Sequence, residues 1–161
     1  MAGRSGRQML VAGAEAPEFR LPDVDGVEHS LSELLAAGPV VLVFYKGTCP
    51  VCQLTLPFLE RLQGGTVRVV AISQDNAKAT RDFWQRYGLT FPVLLDEAVA
   101  GYEVSNRFGI STVPSLFEVH VDGRIAHAWQ SWSKADVEAL ARRAERAVFT
   151  PGEQVPAFRP G

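Results

Sequence analysis

The sequence predicts an α/β fold: a central mixed β-sheet with helices on both faces and a short N-terminal β-hairpin in front of it. Three observations carry this expectation. A continuously apolar run, Val40–Tyr45, and a second strand-like run rich in apolar residues, 67–73, alternate with segments of helical periodicity, giving a β-α-β-α order. Asp122-Gly123, a turn signal, joins two further extended runs and a helix follows, which adds antiparallel strands to the sheet. The two cysteines, Cys49 and Cys52, stand where the first buried strand gives way to a helix.

Taken in order, residues 1–13 lack periodicity and read as a loose leader. Phe19-Arg20-Leu21, Asp25-Gly26 and Val27-Glu28-His29-Ser30 read as a hairpin. Residues 31–37 form a short helix stopped by Gly38-Pro39, and Val40–Tyr45 is a strand buried on both faces. The helix over residues 50–62 places Val51, Leu54, Phe58, Leu59 and Leu62 on one stripe, with Pro57 inside it as a kink. After the strand 67–73, Asp75 or Asn76 caps a helix with the stripe Thr80, Phe83, Trp84 and Tyr87, ended by Gly88. A short strand over 91–95 and a helix over 98–108, stopped by Gly109, come next. The hairpin 115–121/124–129 is followed by the capping-box pattern Ser133-Lys134-Ala135-Asp136. The last helix turns Val137, Leu140, Ala141, Ala144 and Val148 inward, and residues 150–161, with Pro151, Pro156 and Pro160, read as a C-terminal tail. One domain over 14–149 results, with no internal repeat.

Composition is that of a globular chain. Of 161 residues, 47% are hydrophobic and 21% charged, enough for one core of ordinary size. A formal charge of −2 gives no footprint for nucleic acid or anionic membrane, and Glu138 and Glu145 interleave with the local run of Arg142, Arg143 and Arg146. No apolar run reaches the length of a membrane span. Met9-Leu10-Val11-Ala12 is too short for the core of a signal peptide, so the expected location is the cytoplasm. Thiols are kept reduced there, which makes a cysteine pair a catalytic feature more often than a staple.

The pair itself is Cys49-Pro50-Val51-Cys52. At a helix start, unpaired N–H groups and the positive end of the dipole favour an anion, so Cys49 is placed to be a thiolate nucleophile. Cys52, one turn further in, is within disulfide reach. Pro50 suits the first helical turn, where its missing N–H costs little. Structural zinc needs about four ligands, and there is no third cysteine, nor do His29, His120 and His127 have finger spacing. Two inert core thiols would account for neither the spacing nor the strand–turn–helix setting. The site therefore calls for no metal and no cofactor beyond a redox-active Cys49–Cys52 disulfide.

Several motifs together resemble the thioredoxin-like superfamily, in its redoxin branch of thiol–disulfide oxidoreductases and alkyl hydroperoxide reductase/thiol-specific antioxidant proteins. They are Gly13-Ala14-Glu15-Ala16-Pro17-Glu18-Phe19-Arg20-Leu21 with Asp25-Gly26 and Ser30-Leu31, then Cys49-Pro50-Val51-Cys52 and Pro57. Thr112-Val113-Pro114 and the hairpin at Asp122-Gly123 complete the set. The resemblance spans roughly residues 13–148 and implies a thioredoxin-like fold. It also implies that Pro114 is cis and faces the cysteines, so that Thr112, Val113 and Pro114 form a substrate-docking loop. The chain departs from the pattern at Thr48, where thioredoxins carry an aromatic residue. It departs again at Val43, where they bury an Asp, and at Thr55, where some cytochrome-c-maturation relatives carry a Glu. The family's usual acids for the second cysteine are thus missing.

The activity this implies is dithiol–disulfide exchange, in the reducing direction, with a disulfide-containing protein or a thiol compound as substrate and an upstream thiol reductase as electron source. Lys46, Thr48 and Pro50 are the residues placed to tune it, Lys46 by its charge. A rival reading is a peroxiredoxin-type peroxidase using Cys52 or Cys49. In that family a Thr or Ser precedes the peroxidatic cysteine by three residues, where Cys49 precedes Cys52, and an activating Arg is expected where this chain reads Thr112-Val113-Pro114-Ser115. A third is a binding module without activity that uses the groove at Pro114.

Overall fold

The computed structural model describes residues 8–161, and the expected leader lies outside it up to residue 7. The chain opens on a hairpin of β1 (Arg20–Pro22) and β2 (Glu28–Ser30), paired antiparallel. Its turn is closed by Asp23, whose Oδ1 accepts from the N–H groups of Asp25 and Val27, while Gly26 takes the positive φ the turn requires. Ser30 then caps α1 (Leu31–Leu35) in a capping box with Glu33. This helix ends two residues before the expected stop.

The main sheet has the order β5-β4-β3-β6-β7. β3 (Val40–Tyr45) is its middle strand and is buried at every position. β4 (Arg68–Ser73) and β5 (Val93–Leu95) extend it in parallel on one side, and β6 (Ser115–Val119) and β7 (Ile125–Gln130) antiparallel on the other. The pleat divides β3 between two cores. Val41, Val43 and Tyr45 pack with α2 (Pro50–Glu60), α3 (Ala77–Tyr87) and α5 (Lys134–Arg143) through Leu56, Leu59, Phe83, Val137 and Leu140. Val40, Leu42 and Phe44 face the hairpin, α1 and α4 (Glu103–Arg107) through Phe19, Leu21, Leu31 and Phe108. Phe44 sits 5.1 Å from the Phe108 ring and 5.7 Å from that of Phe117. The expected mixed sheet with helices on both faces is the architecture observed.

Three elements differ from the sequence reading. In α2 the fully buried face is Cys52, Thr55, Leu56 and Leu59, whereas Val51, Leu54 and Phe58 are only half-buried. The expected helix over 98–108 is broken in two: a 3-10 turn at Ala98–Ala100, then Gly101 and Tyr102 with left-handed backbone, then α4. Asp96 drives the restart. Its buried carboxylate accepts from the N–H groups of Val104 (3.2 Å) and Ser105 (2.7 Å) and from the Ser105 hydroxyl (2.6 Å). Finally, the ends are held in place. Residues 8–13 lie against the second core, with Leu10 N–H donating to Phe108 O and Gly13 N–H to Ile125 O. In the C-terminal segment, β9 (Phe158–Arg159) pairs antiparallel with β8 (Trp132–Ser133).

Replacing Asp96 with Ala leaves two buried N–H groups without acceptors. The expected loss is about 1–3 kcal/mol in the urea unfolding free energy. An unchanged midpoint would show that α4 does not depend on this carboxylate.

Candidate active site

The site begins where β3 ends. After Tyr45, residues 46–49 cross from the middle of the sheet to α2, and Cys49 is the residue that caps this helix. Its backbone is extended (φ −82°, ψ 115°), its own N–H donates to Lys46 O, and its sulfur accepts the N–H of Cys52 at 3.2 Å. A helix start has donors to satisfy, and a thiol sulfur does so here in place of the usual Ser or Asp oxygen. Pro50 follows at the first helical position and is exposed. Both cysteines are thiols: Cys49 is half-buried, while Cys52 is 0% exposed among the apolar residues of the first core.

The loop at 112–114 comes back to this point from across the sheet. The Val113–Pro114 peptide is cis, and Val113 O lies 3.5 Å from Cys49 Sγ as its acceptor, between residues 64 positions apart. Thr112 O accepts from the Ser115 hydroxyl, and Pro114 O accepts from Ser131 N–H. Cys49, Cys52, Val113 and Pro114 therefore converge. Lys46 lies in the same loop, but its ammonium is placed over the Tyr102 ring, 5.8 Å from the centroid. Its backbone is what acts on the Cys52 sulfur, by a hydrogen bond that favours the thiolate. Thr48 is exposed and lines a cleft of about 280 Å³ with Gly47, Asp75, Phe83, Arg86 and Tyr87.

Asp75 and Gln53 are the participants that sequence reasoning missed. Asp75 reads as one of two candidate caps for α3, yet Asn76 makes that cap through Oδ1 and Ala79 N–H. Asp75 instead turns to the cysteine loop, where its Oδ2 accepts from Gly47 N–H at 2.8 Å. Gln53 Nε2 donates to Gly47 O at 2.8 Å, so both backbone groups of Gly47 are fixed. A side chain at residue 47 would meet Asp75 Oδ2 at 3.0 Å, which explains the glycine. Nothing in the linear sequence signals a contact across 28 positions.

Burial pushes the Cys52 thiol far above its ordinary range. Its contacts with Cys49 and the negative charge of Asp75 push the same way, against the Lys46 backbone. Val43 is fully buried, and the Thr55 hydroxyl donates back to Val51 O, so neither departure from the family pattern supplies an acid. The carboxylate whose charge acts on Cys52 is Asp75. Tyr45, also pushed up by burial, holds a buried hydroxyl without a hydrogen-bond partner of good geometry, though Ser73 and Thr80 are near enough to act on its ionisation. Those two hydroxyls are paired with each other at 2.7 Å.

A thiol kept neutral in the folded state alone links stability to pH. Above about 8.5 the unfolded chain releases the Cys52 proton and the folded chain keeps it, so stability falls with rising pH by up to about 1.4 kcal/mol per unit. Urea unfolding of the reduced protein between pH 8 and 10 measures this slope, which Cys52→Ala flattens. A wild-type profile as flat as that of the variant would contradict the burial argument. Asp75→Asn keeps an acceptor for Gly47 but removes the charge. In a Cys49→Ser background it is expected to lower the pH at which Cys52 becomes alkylated, and an unchanged profile would remove Asp75 from the site's electrostatics.

Comparison with known proteins agrees with this geometry. Residues 12–128 match the model of the AhpC/TSA family. The thiol-disulfide oxidoreductase ResA of Halalkalibacterium halodurans is 32% identical over 74% of this chain and 68% of its own length. ResA of Geobacillus thermodenitrificans is 30% identical over 72% and 67%. Among solved structures, a putative thiol:disulfide interchange protein DsbE from Chlorobium tepidum superposes with a TM-score of 0.72 at 23% identity, over 84% of this chain and 96% of that one. Peroxidoxin BcpB from Mycobacterium tuberculosis does so with a TM-score of 0.69 at 26% identity, over 85% and 94%. A thioredoxin-like sheet, a cysteine-capped helix and a family match covering most of the chain lead to one conclusion: the chain belongs to the AhpC/TSA family.

Proposed function

We propose that the chain is a thiol–disulfide oxidoreductase that reduces disulfides of protein or small-thiol substrates through Cys49 and Cys52. The observation that carries this is the asymmetry of the pair. Cys49 presents a half-exposed sulfur that takes an N–H bond, and Cys52 lies directly beneath it, buried and proton-bearing. Cys49 thiolate attacks one sulfur of the substrate disulfide, forming a mixed disulfide and releasing the other sulfur as a thiolate. Cys52 then gives up its proton and attacks Cys49 Sγ. A Cys49–Cys52 disulfide forms, the second substrate thiol leaves, and two electrons have passed to the substrate. An upstream thiol reductase would return them. The names of the ResA relatives support the reading, and a reducing compartment such as the cytoplasm would set this direction.

A peroxidase reading draws on the similarity to peroxidoxin BcpB. It would need an accessible thiolate with groups to polarise peroxide. Cys52 is enclosed, and the loop facing Cys49 carries Thr112, Val113, Pro114 and Ser115 without an Arg. The dithiol reading therefore stands first.

Insulin reduction by the dithiol-primed protein tests it. Cys49→Ser is expected to abolish turnover. Cys52→Ser is expected to keep the first attack and accumulate a mixed disulfide with substrate, visible as a reductant-sensitive adduct by mass spectrometry. Rapid peroxide consumption by Cys49→Ser would instead establish a peroxidase acting through Cys52, and wild-type inactivity toward both substrates would leave a binding module.

A further inference from the structure

The C-terminal segment returns to the active site. Its base is anchored: the Glu153 carboxylate accepts from Arg61 at 2.8 and 3.0 Å, and Pro156 O accepts from Trp132 Nε1 at 2.6 Å. Beyond that base, Lys134 N–H donates to Ala157 O, and β9 lies along β8 with Phe158 opposite Ser133 and Arg159 opposite Trp132. Gly161 N–H then donates to the Ser131 hydroxyl at 3.0 Å, while Ser131 N–H is bonded to Pro114 O. The chain is thereby carried onto the cis-proline loop. A Cβ placed on Gly161 would lie 2.2 Å from Val113 O and 2.8 Å from Thr112 Cγ2. Gly161 thus packs on the same carbonyl that meets Cys49 Sγ.

We infer that residues 157–161 form a strap over the docking edge at Val113, which an extended segment of a disulfide-bearing protein substrate must displace to pair there. The inference rests on the oxidoreductase reading above. An incoming strand pairs through backbone groups of the edge it joins, and the Val113 carbonyl cannot be packed by Gly161 and by a substrate strand at once. The strap is built to be released. Residues 157–161 are all exposed, Phe158 to 55%, and a two-residue ladder with few flanking bonds holds them. The anchors at Glu153 and Pro156 stay behind when it lifts. A competent state that is only partly populated weakens apparent substrate affinity in proportion. A small disulfide needs only Cys49 Sγ and escapes this competition.

Two variants test the strap without substituting the cysteines or the cis-proline loop. Gly161→Ala removes no contact but brings a methyl group against the Val113 carbonyl. Deletion of 158–161 removes the strap and leaves both anchors. Each is expected to lower KM for insulin by about tenfold, the factor that one or two net hydrogen bonds supply, with turnover of 2-hydroxyethyl disulfide unchanged. An unchanged or raised KM for insulin in Gly161→Ala, with small-disulfide turnover intact, would overturn the strap while leaving the oxidoreductase reading standing. Should the deletion lower the unfolding temperature, Gly161→Ala alone decides. Absence of turnover on both substrates by wild type and variants would instead sink the reading on which the strap rests.

Discussion

The bond from Cys52 N–H to Cys49 Sγ is the interaction on which the site depends. A helix start must find acceptors for its first N–H groups. Here β3 ends deep in the sheet, the loop is short, and the residue that arrives at the cap is a cysteine. The bond that satisfies the backbone therefore also fixes the position of the Cys49 sulfur. The second cysteine is placed by the same turn of helix, on the face α2 buries against the sheet. One sulfur is held by a donor near solvent and the other is surrounded by apolar side chains. This difference is what the proposed exchange relies on, with the accessible sulfur attacking first and the enclosed one resolving.

Other elements serve this pair from a distance. The cis-proline loop brings a carbonyl to Cys49. Asp75 holds Gly47 and thereby the path of residues 46–49, while its charge adds to the burial that raises the Cys52 thiol. The C-terminal segment closes the other side of Val113. Each of these comes from a separate stretch of chain, and the packing of β3 against β4 and β6 brings them together.

How far the sequence reveals this depends on whether a feature is local. The buried strand Val40–Tyr45, the cysteine pair at a helix start, Gly88 as a helix stop and the turn at Asp122-Gly123 are encoded by neighbouring residues, and each lies where its pattern points. The inward face of α2 is less legible. Val51, Leu54 and Phe58 are as apolar as Leu56, and only the tertiary packing, in which Phe58 meets Trp132 and Phe149 at the edge of the core, separates them. The break at Gly101-Tyr102 depends on Asp96 capping from outside the helix. Asp75 carries only the pattern of a helix cap, and residues 150–161 carry none, because their partners Gly47, Arg61 and Trp132 are remote in sequence.

Mapping which thiol reacts first tests the central claim most directly. Reduced protein treated briefly with limiting iodoacetamide at neutral pH, digested and analysed by mass spectrometry, is predicted to carry the label on Cys49 with Cys52 unmodified. Label on Cys52 ahead of Cys49 would contradict the assignment of nucleophile and resolving thiol, and with it the order of action drawn from the cap.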